Sequence, residues 1–202
     1  MTRWEPDGKG RLQRAAMELF LERGYAEVTV ADITRRAGLT KRSFFNHFAD
    51  KREVLFADAV AFQQIATECL AALDPATDPL QAATAALAQA GLSLAVYMPF
   101  AAARRALIAS STELRERELV KMASLSQGLQ EGLIARGSPA RSARFTAEAA
   151  ITVFKSAYDD WIDAPDADFA ALINRSLEEL RIAIERPEPT PANASGAARR
   201  AR

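Results

Sequence analysis

Apolar residues along most of this chain recur at spacings of three and four, and no stretch alternates apolar with polar positions between hairpin turns. That period gathers apolar side chains on one side of a helix, so the chain is predicted to be all-α. Breaker residues divide it into about nine helices. The first, over residues 9–23, aligns Leu12, Ala16, Leu19 and Phe20 and stops at Gly24. Thr29 stands three residues before Asp32, a capping-box-like start in which hydroxyl and carboxylate satisfy free amides, and this second helix ends at Gly38. Thr40 caps a third helix reaching Phe48, and Asp50 a fourth over 51–73. Two helices of about eight residues joined by a three-residue turn containing glycine have helix-turn-helix dimensions.

The second half is built differently. After the breaks at Asp74-Pro75 and Asp78-Pro79, an alanine-rich helix is predicted to 97, a short one over 100–109 and a long one over 112–136, stopped by Gly137-Ser138-Pro139. Two more follow, over 140–163 and 166–185. The run after Arg186 has three prolines and no large apolar residue, so it reads as a disordered tail. The expected organisation is a helix-turn-helix domain over 1–50, a larger helical domain over 51–186 and a tail over 187–202. Residues 79–103 carry no charge over 25 positions, long enough to cross a bilayer, which takes about 20. Gln81, Thr84, Gln89, Ser93 and Pro99 interrupt them, and most of the apolar content is alanine, which favours a buried interior helix.

Charge sharpens the picture. The 26 basic and 26 acidic residues balance, which excludes a polybasic tail protein, yet residues 35–52 hold six cations against Asp50 alone. One cysteine, Cys69, and one histidine, His47, leave no internal disulfide and no His-rich metal site. The polar, charged start does not resemble an export signal, so the expected location is the cytoplasm. Catalysis lacks its parts. His47 sits in the basic helix, Cys69 in an apolar pattern, and Gly91-Leu92-Ser93-Leu94-Ala95 lacks the closing glycine of a nucleophile elbow. No glycine-rich phosphate loop is present either, so neither an enzyme, a metal nor a cofactor is expected.

The most informative segment is TVADITRRAGLTKRSFFNHFADK, from Thr29 to Lys51. On its third helix Phe44 and Phe48 share one face, while Lys41, Arg42, Phe45 and Asn46 share another. Three such short helices bury too little surface to waste two phenylalanines, so Phe44 and Phe48 are expected against Leu19, Phe20 and Ile33. The presented face then offers two cations, an amide and a ring beside the amide-rich helix start at Thr40. Helix N-termini and Lys/Arg hold phosphates, and side chains of the first turns reach base edges in a major groove.

These residues resemble the TetR-type (tetracycline-repressor-like) transcriptional regulators. The resemblance is carried by Ala16 to Tyr25, AMELFLERGY; by Thr29 to Ile33, TVADI; by the aromatic-rich Phe44 to Phe48, FFNHF; and by Asp50 to Leu55, DKREVL. It implies phosphate contacts from Thr29, Thr40, His47 and Lys51, and base or groove contacts from Lys41, Arg42, Phe45 and Asn46. Many relatives have tyrosine where Phe45 stands. The missing hydroxyl removes one phosphate hydrogen bond, which leaves Phe45 for a thymine methyl or Asn46 as a substitute donor.

The resemblance also implies a homodimer, because two half-sites of an operator need two readers. The stripes on the last two helices supply interface candidates: Phe154, Tyr158 and Trp161, then Phe169, Leu172, Ile173, Leu177 and Leu180. An apolar pocket is expected among Phe62, Ile65, Met98, Phe100, Leu107 and Met122. The C-terminal part is similar to family members with acyl-CoA-like ligand domains, which implies an acyl-type effector whose acidic group meets Arg104 or Arg105. Two adjacent arginines after an uncharged helix also fit plain solvated ends. The expected protein is therefore a ligand-responsive repressor that reads a palindromic operator in double-stranded DNA and is released by a small effector. The alternative is a helical interaction protein whose basic helix binds an acidic partner.

Overall fold

The computed structural model describes residues 7–185. Within them the chain forms nine α-helices and no strand: α1 (Gly8–Arg23), α2 (Val30–Ala37), α3 (Lys41–Phe45), α4 (Ala59–Ala72), α5 (Pro79–Gly91), α6 (Met98–Ser110), α7 (Thr112–Ala135), α8 (Ala140–Asp163) and α9 (Phe169–Glu185). Two 3-10 segments, Arg52–Phe56 and Leu92–Tyr97, lie between them. The tail expected over 187–202 lies outside the described residues.

The small helices begin as their sequence dictates. Thr29 and Asp32 close a reciprocal capping box on α2, with Thr29 Oγ1 accepting from Asp32 N at 3.2 Å and Asp32 Oδ2 accepting from Thr29 N at 3.1 Å. Gly38 leaves α2 at φ +66°, a left-handed conformation that a β-carbon would penalise, and Thr40 Oγ1 then accepts from Ser43 N to start α3. Around this turn Leu12, Leu19, Phe20, Ile33, Phe44 and Phe48 form one core, as their spacing predicts. The core is not closed by the first 50 residues. Val54, Leu55 and Phe56 belong to it, and so do Leu107, Ile108 and Leu114 from α6 and α7. A second core joins α4, α5, α7, α8 and α9.

Three predicted helices are shorter than expected. The third ends at Phe45, with Asn46 and His47 in a turn. The fourth does not run from Lys51 to 73: a 3-10 turn, Arg52–Phe56, precedes α4. Side chains from elsewhere explain the break. Arg104 Nε donates to the Leu55 carbonyl at 2.9 Å and Lys9 Nζ to that of Ala57 at 3.3 Å, capturing acceptors that a continuous helix would use. The alanine-rich helix also stops early, at Gly91, because Pro99 has no N–H with which to continue the ladder and restricts the residue before it. Gly91 itself is a point of close approach. A β-carbon there would lie 2.1 Å from Cε1 of Phe169, so the ring on α9 occupies the space a side chain would need. Both uncharged stretches long enough to span a bilayer, Arg52–Ala72 and Pro79–Ser110, are thus broken by 3-10 turns, and their buried members sit in the two cores.

Candidate functional site

The α2–turn–α3 unit divides its third helix as the spacing predicts. Phe44 is fully buried and Phe48 nearly so, their rings 5.3 Å apart, and this anchors α3 in the N-terminal core. Thr40, Lys41, Arg42, Phe45, Asn46 and His47 are all exposed. Phe45 keeps 57% of its surface in solvent and touches Phe44 edge-on, with ring centroids at 5.4 Å. A large exposed ring on a fixed helix between two cations is poised for contact with something outside the chain. His47 lies beside the start of α1, where a β-carbon on Gly8 would be 3.4 Å from its Nε2.

The basic run over 35–52 is mostly neutralised within the fold. Arg36 forks onto Glu22 at 2.8 Å and Glu18 at 3.2 Å, which fastens α2 to α1 and raises the guanidinium pKa. Arg35 pairs with Asp32 at 3.2 Å, and Arg52 with Asp50 at 2.6 Å and Glu113 at 3.4 Å. Lys51 departs furthest from expectation as a phosphate ligand. Its ammonium donates to the carbonyls of Tyr25 at 2.8 Å and Val28 at 2.9 Å and lies 4.2 Å from the centroid of the Tyr25 ring. Burial lowers its pKa, so this lysine serves as an internal tie across the α1–α2 loop. Thr29 is likewise committed, its hydroxyl 2.5 Å from Asp32 Oδ2. Among the described residues no ion pair involves Lys41 or Arg42. These two cations are where the local positive charge remains available.

A cavity of about 810 Å³ opens at the seam between the two cores, within the range of small-molecule sites, about 300–1,000 Å³. Its walls come from α1, the 3-10 turn before α4, and α4, α6, α7 and α8. Phe62, Phe100 and Met122 line it as expected. Ile65 and Met98 instead pack against the C-terminal core, and Leu107 is buried in the N-terminal one, because helical spacing fixes a face but not what that face meets. Leu55, Ile108, Phe154 and Tyr158 line it too and were not anticipated as pocket residues. At one end Asp58 accepts from Lys9 Nζ at 2.6 Å and Gln13 Nε2 at 3.1 Å. Although burial raises the Asp58 pKa, hydrogen bonds from Lys9, Tyr97 and Gln13 hold it below the usual carboxylate value, and burial together with Asp58 pushes Tyr97 up to about 12. At the other end stands Arg104, whose pKa burial lowers.

The interface assignment needs correction. Phe154, Trp161, Phe169, Leu172, Ile173 and Leu177 are buried in the chain's own core: Trp161 stacks on Phe169 at 4.5 Å, and Phe154 meets Phe62 at 5.3 Å. Tyr158 and Leu180 are partly buried against the same core. The stripes are consumed within the chain, by α5 and by each other. The large apolar side chains left on the outside of α8 and α9 are Phe145, Ile182 and Ile184, each more than half exposed.

Residues 12–57 match the family model described as bacterial regulatory proteins, tetR family. Over 96 residues the chain is 34% identical to the HTH-type transcriptional regulator TcmR of Streptomyces glaucescens, covering 42% of each chain. It is 38% identical over 45 residues to YxbF of Bacillus subtilis strain 168, an uncharacterised HTH-type transcriptional regulator, covering 22% of this chain and 12% of that one. The matched part is thus less than half the length of these curated relatives. Similar folds cover far more. A TetR-family regulator from Syntrophomonas wolfei superposes with a TM-score of 0.61 at 14% identity, over 90% of this chain and 97% of that one. SmeT in complex with triclosan superposes with a TM-score of 0.55 at 19% identity, over 91% and 98%.

Proposed function

The N-terminal unit of this chain, residues 12–57, belongs to the tetR family of bacterial regulatory proteins, and from that premise we propose that the protein is a cytoplasmic, homodimeric repressor that reads a palindromic operator and is released by a small molecule. The observation that carries this reading is the outward face of α3. Lys41 and Arg42 are exposed and unneutralised beside Phe45 and Asn46, while Phe44 and Phe48 hold the helix in place from behind. In this reading Thr40 and the helix start meet a phosphate, His47 meets another, and the first-turn side chains reach base edges. Thr29 and Lys51 act indirectly, by fixing the α2 start and the α1–α2 loop. The outer faces of α8 and α9, with Phe145 and Ile182, pair with those of a second copy, in place of the buried stripes.

The cavity is the effector site of this proposal. Its walls include Lys9, Gln13 and Met17 of α1, so an occupant touches the unit that carries α3 directly. The 3-10 turn is the joint. Glu53 is paired with Arg117 and, at 3.0 Å, with Lys121 of α7, and the Leu55 carbonyl with Arg104 of α6. An effector that binds better when these ties are rearranged moves the paired recognition helices away from the spacing of successive major grooves, about 34–36 Å. Selection of binding sequences from a random duplex pool tests the proposal. It is expected to return an inverted repeat, whereas a single unrepeated motif, or no enrichment, contradicts it.

A further inference from the structure

Arg104 sets the chemistry of the effector cavity. It follows an uncharged stretch of 25 residues and enters the cavity from α6, and its side chain is only 25% exposed. Nε is held by the Leu55 carbonyl at 2.9 Å, and the guanidinium carbon lies 5.0 Å from the centroid of the Phe56 ring. The nearest carboxylate, Glu118, stands at 3.7 Å from Nη1, beyond hydrogen-bond distance. The neighbouring cation behaves differently. Arg105 is turned outward onto Asp163 at 2.6 Å and Asp159 at 3.5 Å. At the far end of the cavity Asp58 is already satisfied by Lys9 and Gln13. Of the two polar poles, one is therefore closed and the other holds a fixed, under-neutralised guanidinium facing Phe62, Met122, Phe154 and Tyr158. Charge over the whole lining has the same sign, with seven basic side chains against four acidic ones.

We propose that the effector is an apolar molecule carrying one anionic oxygen group, whose head takes the guanidinium fork of Arg104 while its body fills the aromatic and aliphatic part of the cavity. The proposal rests on the reading of this cavity as the effector site. A carboxylate at Arg104 replaces the distant Glu118 contact with charge-assisted hydrogen bonds in a largely dehydrated place, where such bonds are strongest. An alcohol of the same length fills the apolar part equally well and forgoes the head-group bonds.

Calorimetric titration of the full chain with decanoate and with decanol tests the assignment. Decanoate is expected to bind about tenfold or more tighter than decanol. Arg104→Met should bring decanoate down to the level of decanol and leave decanol binding as it was, which also shows that the cavity remains folded. Glu118→Gln removes the competing carboxylate and should strengthen decanoate alone. Equal binding of the two probes, or an Arg104→Met protein that keeps the preference, overturns the anionic assignment while the effector cavity stands. Binding of neither probe overturns both.

Discussion

Phe44 and Phe45 are adjacent, chemically identical and structurally opposite, so truncating each in turn separates folding from recognition. Phe44 has no exposed surface and packs on Phe48 at 5.3 Å inside the N-terminal core. Deleting its ring leaves a cavity among Leu12, Leu19 and Ile33, and Phe44→Ala is expected to cost about 3–5 kcal/mol. That is a large share of a typical folding free energy of about 5–15 kcal/mol. Phe45 is 57% exposed, and its main contact within the chain is the edge of the Phe44 ring. Losing that contact costs at most about 1 kcal/mol, the scale of an aromatic pair. Its loss from a DNA interface is expected to weaken operator binding by about 1–3 kcal/mol, a factor of about 5 to 150. Urea unfolding followed by circular dichroism and DNA titration on the same preparations give both quantities. The reasoning is refuted if Phe45→Ala unfolds at the midpoint of Phe44→Ala, or if it binds operator as well as the parent protein.

Three further outcomes follow from particular contacts. Lys41→Ala combined with Arg42→Ala should weaken operator binding and lower the slope of log affinity against log salt by about 2, read from titrations at several salt concentrations. Gly91→Ala should destabilise the chain by about 1–3 kcal/mol in urea, because the added methyl meets the Phe169 ring at 2.1 Å, outweighing the roughly 1 kcal/mol that alanine offers a helix. Asp58 has a lowered pKa in the fold, so it releases its proton more readily folded than unfolded; its stabilising contribution is present above about pH 4 and is lost as pH falls through the depressed value. Acid unfolding curves should therefore show a shallower loss below about pH 4 in Asp58→Asn than in the parent protein.

How far the sequence revealed these features depended on whether the cause was local. The capping box at Thr29, the turn at Gly38 and the opposed faces of α3 are fixed by residues within four positions of one another, and each stands where its spacing put it. The break before α4 depends on Arg104 and Lys9 taking the carbonyls of Leu55 and Ala57, partners about 50 residues distant, and no local signal marks it. The apolar stripes on α8 and α9 were legible, but periodicity does not name what a stripe packs against. The buried ring stack of Trp161 on Phe169 shows that the partner is the same chain. The run of cations over 35–52 overstated the available charge for the same reason, since Glu18, Glu22 and Glu113 approach it only in the folded state. Arg104 did carry a sequence signal, a lone pair of cations ending an uncharged stretch, and the fold shows which of the two faces inward.

The most direct test of sequence-specific binding by the α3 face is a titration of the purified full chain against labelled DNA from upstream of its own gene, with scrambled competitor and at two salt concentrations. The account predicts saturable binding that survives the competitor, weakens with salt and is lost in the Lys41→Ala, Arg42→Ala protein. Equal loss to scrambled DNA, or full binding by the doubly substituted protein, would contradict it.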